Sequence, residues 1–213
     1  MKRQKRWRKR VKNILFVQSK GSSRNQEDHK STKRVKNIGN RNCTDVNNNV
    51  NSFHVLNYLN CIYTNADQFR NKFNEFQTRI INYEPKIIGI TEVKPKKSAY
   101  KLNPAEFSID SEGNYNQFSV NIENDIGRGM ILYGHKSLNA KEVIMDTKYE
   151  EYILVKVKLN NQDNLLVGLI YRSPSGSGES ENNANLLKLI NEATGRKFSH
   201  LLMMGDFNLP NID

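Results

Sequence analysis

Residues 86–91 (KIIGIT) are apolar at nearly every position, with no alternation that would leave one side wet. A strand of that kind needs cover on both faces, which restricts the chain to layered α/β architectures. Just before it, Phe69, Phe73, Phe76 and Ile80 recur at the spacing of one helical face. Asp67 is placed to cap that helix, and Pro85 ends it. Residues 55–64 are rich in β-branched and aromatic side chains and read as a strand. Strand, helix and strand in this order imply a parallel pair joined by a crossover.

Short strands follow at 117–122, 129–133, 141–145, 152–159 and 165–171. The last two flank the polar turn 160–164 and form a hairpin. Residues 173–183 (SPSGSGESENN) read as a loop, and 183–193 as a helix presenting Leu186, Leu187 and Ile190. A second apolar run, residues 200–204 (HLLMM), leads into Gly205-Asp206-Phe207-Asn208-Leu209-Pro210. Helices early and late with hairpins between them indicate packed sheets covered by helices, without internal repeats.

The formal charge of +11 is confined to one end. Residues 1–50 hold 15 of the 33 Lys and Arg but only 3 of the 22 Asp and Glu, so the remainder is close to neutral. The basic isoelectric point therefore does not argue for a polyanion-binding surface on the folded part. Residues 1–51 are expected to be a tail without regular structure, and 52–213 the domain. The run at residues 2–10 reads as a nuclear address or nucleic-acid arm, and equally as a solvated charge run. Cys43 and Cys61 are too few for a disulfide framework and lack zinc spacing. An intracellular, reducing location fits this, with a nucleus suggested by the basic start. No segment is long and apolar enough to span a membrane.

Three strands end in groups that core packing would not select: Thr64-Asn65-Ala66-Asp67, Thr91-Glu92 and Gly205-Asp206-Phe207-Asn208. Carboxyl ends of strands are where α/β sheets bind ligands. A carboxylate after an apolar run is costly unless it is paired or metal-bound, and Mg²⁺ takes such oxygens. In extended geometry Asp206 and Asn208 point the same way. Taken singly, Glu92 reads as a cap or turn former, Asp206 as an Asx turn and Asn65 as a helix cap.

Together, residues 59–67 (LNCIYTNAD), 88–93 (IGITEV), 127–130 (GRGM), 170–174 (IYRSP) and 205–210 (GDFNLP) resemble successive motifs of the endonuclease/exonuclease/phosphatase superfamily. Their wording is most similar to the apurinic-type endonuclease domain at the front of non-LTR (LINE-like) retrotransposon polyproteins, over about residues 56–213. The resemblance implies a DNase I-like, four-layered α/β sandwich and hydrolysis of DNA phosphodiesters with Mg²⁺ or Mn²⁺. It casts Glu92 as the metal-binding carboxylate with Asn65 beside it, and Tyr171 as a donor to a phosphate oxygen. Asp206 would orient or deprotonate the attacking water, and Asn208 would hold the scissile phosphate. Arg128 and Arg172 are candidates for the DNA backbone, or ordinary surface arginines.

The family pattern continues to a late Ser-Asp-His segment, and none follows Asp206 here. On that comparison the sandwich is expected to be incomplete, lacking its last strands, and the chain a weak or inactive copy. None of His29, His54, His135 and His200 follows Asp206, and His200 opens the last strand run, roughly 20 Å from Asp206 at ~3.3 Å per residue. Two other functions stay open: a phosphatase or lipid phosphodiesterase of the same fold, and an inert remnant whose basic tail binds nucleic acid.

Overall fold

The computed structural model describes residues 16–19, 59–95, 101–123, 127–159, 163–174 and 179–209. Among these, strands run at Phe16–Ser19 (β1), Cys61–Asn65 (β2), Ile87–Thr91 (β3), Tyr115–Val120 (β4) and Met130–His135 (β5). They continue at Lys141–Glu142 (β6), Tyr152–Lys158 (β7), Asn164–Tyr171 (β8) and His200–Asp206 (β9). Two α-helices span Phe73–Tyr83 (α1) and Glu179–Gly195 (α2). One sheet has the order β1-β9-β8-β7-β6 and the other β2-β3-β5-β4.

The alternation of each strand explains the layering. Along β3, Ile88 and Ile90 join Phe69, Phe76 and Ile80 in a core beneath α1 and the 3₁₀ turn Phe69–Lys72 that precedes it. Gly89 turns the other way and lets Met204 and Leu169 of the opposite sheet approach closely. Between the sheets, Tyr63, Ile87, Met130 and Leu132 meet Val155, Val157, Val167, Leu169 and Met204. Outside the first sheet, Leu154, Leu166 and Ile170 pack against Leu186, Leu189 and Ala193 of α2. Three apolar seams separate helix, sheet, sheet and helix, which is the four-layered sandwich. Every residue of β3 is buried, as its unbroken apolar run requires.

Two parallel pairs bring strand ends to one side of the molecule. β2 and β3 run parallel with Asn65 opposite Thr91, as the strand–helix–strand reading implies. β8 and β9 run parallel with Tyr171 opposite Asp206. The expected hairpin is present as the antiparallel β7–β8 pair, although turn residues 160–162 lie outside the described residues.

Several elements depart from the sequence reading. Phe16–Ser19 lie inside the segment expected to be an irregular tail, yet they add an antiparallel edge strand to β9. The basic run at 2–10, Cys43, His29, His54 and residues 55–58 of the first expected strand lie outside the described residues. Asp67 does not cap the helix: the preceding residue, Gln68, is left-handed with no side-chain cap, and Asp67 turns to an arginine instead. α2 begins four residues earlier than expected, inside the polar stretch assigned to a loop. Its buried face is Leu186, Leu189 and Ala193, while Leu187 is 58% exposed.

Gly205 is the tightest backbone position on the functional side. Its φ of 151° and its close approach to Ile170 leave a β-carbon colliding with the Ile170 carbonyl. Because that obstacle is main chain, no rotamer change relieves it. Gly205→Ala is expected to lose at least about 3 kcal/mol in urea unfolding; a change under about 1 kcal/mol would contradict this packing.

Candidate active site

The four strand ends that carry the candidate residues come from both sheets, and hydrogen bonds join them across the gap. Tyr171 at the end of β8 donates its hydroxyl to Glu92 Oε1 at 2.9 Å, one residue past β3. Asn65 at the end of β2 donates Nδ2 to Asp206 Oδ2 at 2.9 Å, at the end of β9. Each acid thus belongs to one sheet and is held by a donor from the other. Beneath them Tyr63 and Thr91 share a buried hydroxyl contact of 3.0 Å.

Burial raises the Tyr63 phenol pKa, the Thr91 contact opposes this, and the charges of Asp206 and Glu92 add to the rise. Both carboxylates therefore act on one phenol. Tyr171 is also raised, by burial first and then by its bond to Glu92 and that group's charge, so it stays a neutral donor through mildly alkaline pH.

Glu92 departs from strand geometry with a φ of 56°, an unusual value for a residue bearing a β-carbon. The surrounding backbone fixes this turn: Gln68 N–H donates to the Glu92 carbonyl, and Val93 N–H to Gly129. Facing it is a Gly127-Arg128-Gly129 segment whose two glycines have φ of 54° and 70°. A β-carbon at 129 would sit 2.9 Å from the Asn121 carbonyl, so glycine is needed there.

This segment delivers Arg128 to the acids. Its guanidinium pairs with Glu92 Oε2, with Asp67 Oδ1 at 2.9 Å and with the Lys94 carbonyl at 3.2 Å. The side chains of Arg128 and Glu92 are only 12% and 13% exposed. The partner required by a carboxylate at the end of an apolar strand is, in this arrangement, a guanidinium. Arg128 is thus tied into the site rather than presented as a free surface cation.

Arg172 differs still more from the expected backbone contact. It is 3% exposed, and its donors reach Asn183 Oδ1 at 2.6 Å, the Asn208 carbonyl at 2.8 Å and Glu179 Oε1. In return Asn208 donates Nδ2 to the Arg172 carbonyl at 2.7 Å, and Arg172 N–H donates to the Asp206 carbonyl. Arg172 therefore clamps the Asp206–Asn208 turn to the first turns of α2. Asp206 Oδ1 accepts the Asn208 N–H at 3.2 Å and Asn208 has a φ of 44°, so this is an Asx turn rather than extended chain. The expectation that Asp206 and Asn208 point the same way in a strand is corrected accordingly.

Two residues here, Glu151 and Lys94, were not singled out by sequence, and Asp67, read there as a helix cap, anchors Arg128. Glu151 accepts from the Ser173 hydroxyl at 2.8 Å and from its N–H at 3.2 Å, tying β7 to the segment after Tyr171. Burial raises the Glu151 pKa, and the Ser173 bonds oppose the rise. Lys94 is 2% exposed two residues past Glu92. His200 lies at the opposite end of β9, 3.8 Å from Asp163, as expected of a structural histidine. His135, the last residue of β5, also lies away from the site, beside the start of β3, where burial and Lys86 lower its pKa. Cys61 is a half-buried free thiol whose pKa is pushed up to about 11 by burial.

The donor set can be tested against a divalent ion. Glu92, Asp206 and the Asn65 amide oxygen are hard oxygens of the type Mg²⁺ or Mn²⁺ accepts. Among the described residues, however, no group of three His, Cys, Asp or Glu gathers as a ready metal centre. Glu92 is already neutralised by Arg128. The donors match such an ion by type.

The Arg172 clamp makes a stability prediction. Arg172→Ala strands Glu179 and the carbonyls of Phe207 and Asn208, and is expected to cost about 2–3 kcal/mol in urea unfolding, less than for a fully buried pair because Glu179 is half exposed. Arg172→Lys is expected to recover less than half of the loss, since an ammonium cannot reproduce the planar fork. Full recovery by lysine would contradict the clamp geometry.

No family model and no curated protein matches the chain. Solved structures do. A D. rerio TDP2 humanized by 14 mutations shares 15% identity at a TM-score of 0.52, covering 72% of this chain and 67% of that one. The human Nocturnin catalytic domain with a bound sulfate anion shares 17% at 0.51, covering 73% and 65%. The 3′ phosphatase NExo from Neisseria, bound to a product DNA hairpin, shares 13% at 0.51, covering 73% and 60%. The chain thus spans about two thirds or less of the length of these structures. Two facing sheets with a helix outside each, and this likeness, give the chain the fold of the endonuclease/exonuclease/phosphatase superfamily.

Proposed function

We propose that the chain is a phosphodiester hydrolase acting on DNA with Mg²⁺ or Mn²⁺, of the retrotransposon endonuclease type. The observation that carries this reading is the meeting of Asn65, Glu92, Tyr171, Asp206 and Asn208 at one set of strand ends. The neighbour bound to a DNA product and the neighbour bound to sulfate support a phosphate-directed site on this fold. The wording of the motifs supports the retrotransposon assignment.

Asp206 serves as the group that orients the attacking water and takes its proton. Donors from Asn65 and the Asn208 backbone fix the plane of its carboxylate, and each oxygen keeps lone-pair capacity for a water. Tyr171, neutral and rigidly placed, turns its proton from Glu92 to a phosphate oxygen. Asn208 Nδ2 has one proton engaged with the Arg172 carbonyl and a second for the scissile phosphate. Arg172 acts through Asn208 as a positioning residue and does not touch substrate. Glu92 and the Asn65 amide oxygen would hold the metal ion, which when bound supplies neutralisation of the phosphate charge.

Nicking of supercoiled plasmid, run beside phosphoinositide and 3′-phosphate substrates, tests this. Weak nicking that requires Mg²⁺ or Mn²⁺ is expected, as for the weak copy that the sequence suggests, with Asp206→Ala and Glu92→Ala each abolishing it. Nicking that survives both substitutions would refute the site. Turnover of lipid phosphates without DNA cleavage would transfer the chain to the phosphatase or lipid phosphodiesterase reading.

A further inference from the structure

We propose that Arg128 is a resident counter-ion that a divalent cation must displace from Glu92, so that this arginine sets the affinity of the site for metal. The inference rests on the metal-assisted reading of the site above. Three observations carry it.

First, the guanidinium lies on the carboxylate itself, bonded to Glu92 Oε2 while Tyr171 occupies Oε1. Both oxygens of the expected metal ligand are therefore engaged, and the shielding from water strengthens the pairing. Second, the same guanidinium reaches Asp67, so one positive charge is shared between two carboxylates. A divalent ion in its place would bring Glu92 two positive charges where the guanidinium brings one. Third, Arg128 stands between two glycines of positive φ, with its main chain held by the Lys94 N–H. The backbone keeps the segment in place while the side chain swings, so displacement does not require unfolding the loop.

An entering ion competes with charge-assisted hydrogen bonds to Glu92 and Asp67, and removing that competition tightens binding. Mn²⁺ binding to the full chain, followed by electron paramagnetic resonance and by calorimetry, measures this without any turnover. Arg128→Met is expected to bind Mn²⁺ at least about tenfold more tightly than the unsubstituted chain. Arg128→Lys, which keeps one charge but cannot bridge both acids, is expected to fall between them. Circular dichroism checks folding, and if the methionine variant does not fold, the lysine variant carries the comparison.

A gain that disappears on adding Glu92→Ala supports the proposal. Equal or weaker binding by a folded Arg128 variant overturns it and leaves the metal reading of the site standing. Absence of Mn²⁺ binding in all chains overturns both.

Discussion

The structure turns on two hydrogen bonds that close the gap between the sheets at their strand ends, Tyr171 to Glu92 and Asn65 to Asp206. Elsewhere the sheets meet through apolar side chains, which set spacing but little orientation. At this edge the apolar seam gives way to a phenol and a hydroxyl, Tyr63 and Thr91, and then to the acids. Each acid takes its donor from the sheet opposite, so neither half of the sandwich forms the site alone. The chemistry and the layer packing are one constraint.

Around that seam the supports divide into two sets. Arg172 binds the Asp206–Asn208 turn to α2, while Arg128 binds Glu92 to the segment after β2. The two arginines look alike in sequence, and both were candidates for a DNA backbone. Burial separates their roles. Arg172 is buried and satisfies carbonyls, whereas Arg128 sits on the charge that a metal ion would claim. One holds geometry, and the other holds charge.

Much of the architecture was legible because it follows from local pattern. An apolar run such as β3 admits only a strand covered twice, and the Phe69, Phe76 and Ile80 face admits only a helix lying on it. The parallel register that sets Asn65 beside Thr91 follows from that crossover. What was not legible depends on partners distant in the chain. Glu151 sits beside Glu150 and Lys94 lies in a lysine-rich stretch, so both resemble solvated charge until the fold buries them. The first turn of α2 is Ser, Glu and Asn without apolar period, and it coincides with the segment that binds Arg172. β1 is four residues in a basic segment, ordered as a strand by the edge of β9 rather than by its own pattern. The Asx turn at Asp206 was among the readings its sequence allowed, and the structure contains it.

The central claim is that the strand ends of the two sheets are physically coupled at the site. A double-mutant cycle on Asn65→Ala and Asp206→Ala, read as urea stability, isolates that coupling across 141 positions of sequence. A coupling energy of about 1.5 kcal/mol is expected for a hydrogen bond to a carboxylate at this edge. Additivity within about 0.3 kcal/mol would mean that the two ends do not meet, and the site built upon them would fall.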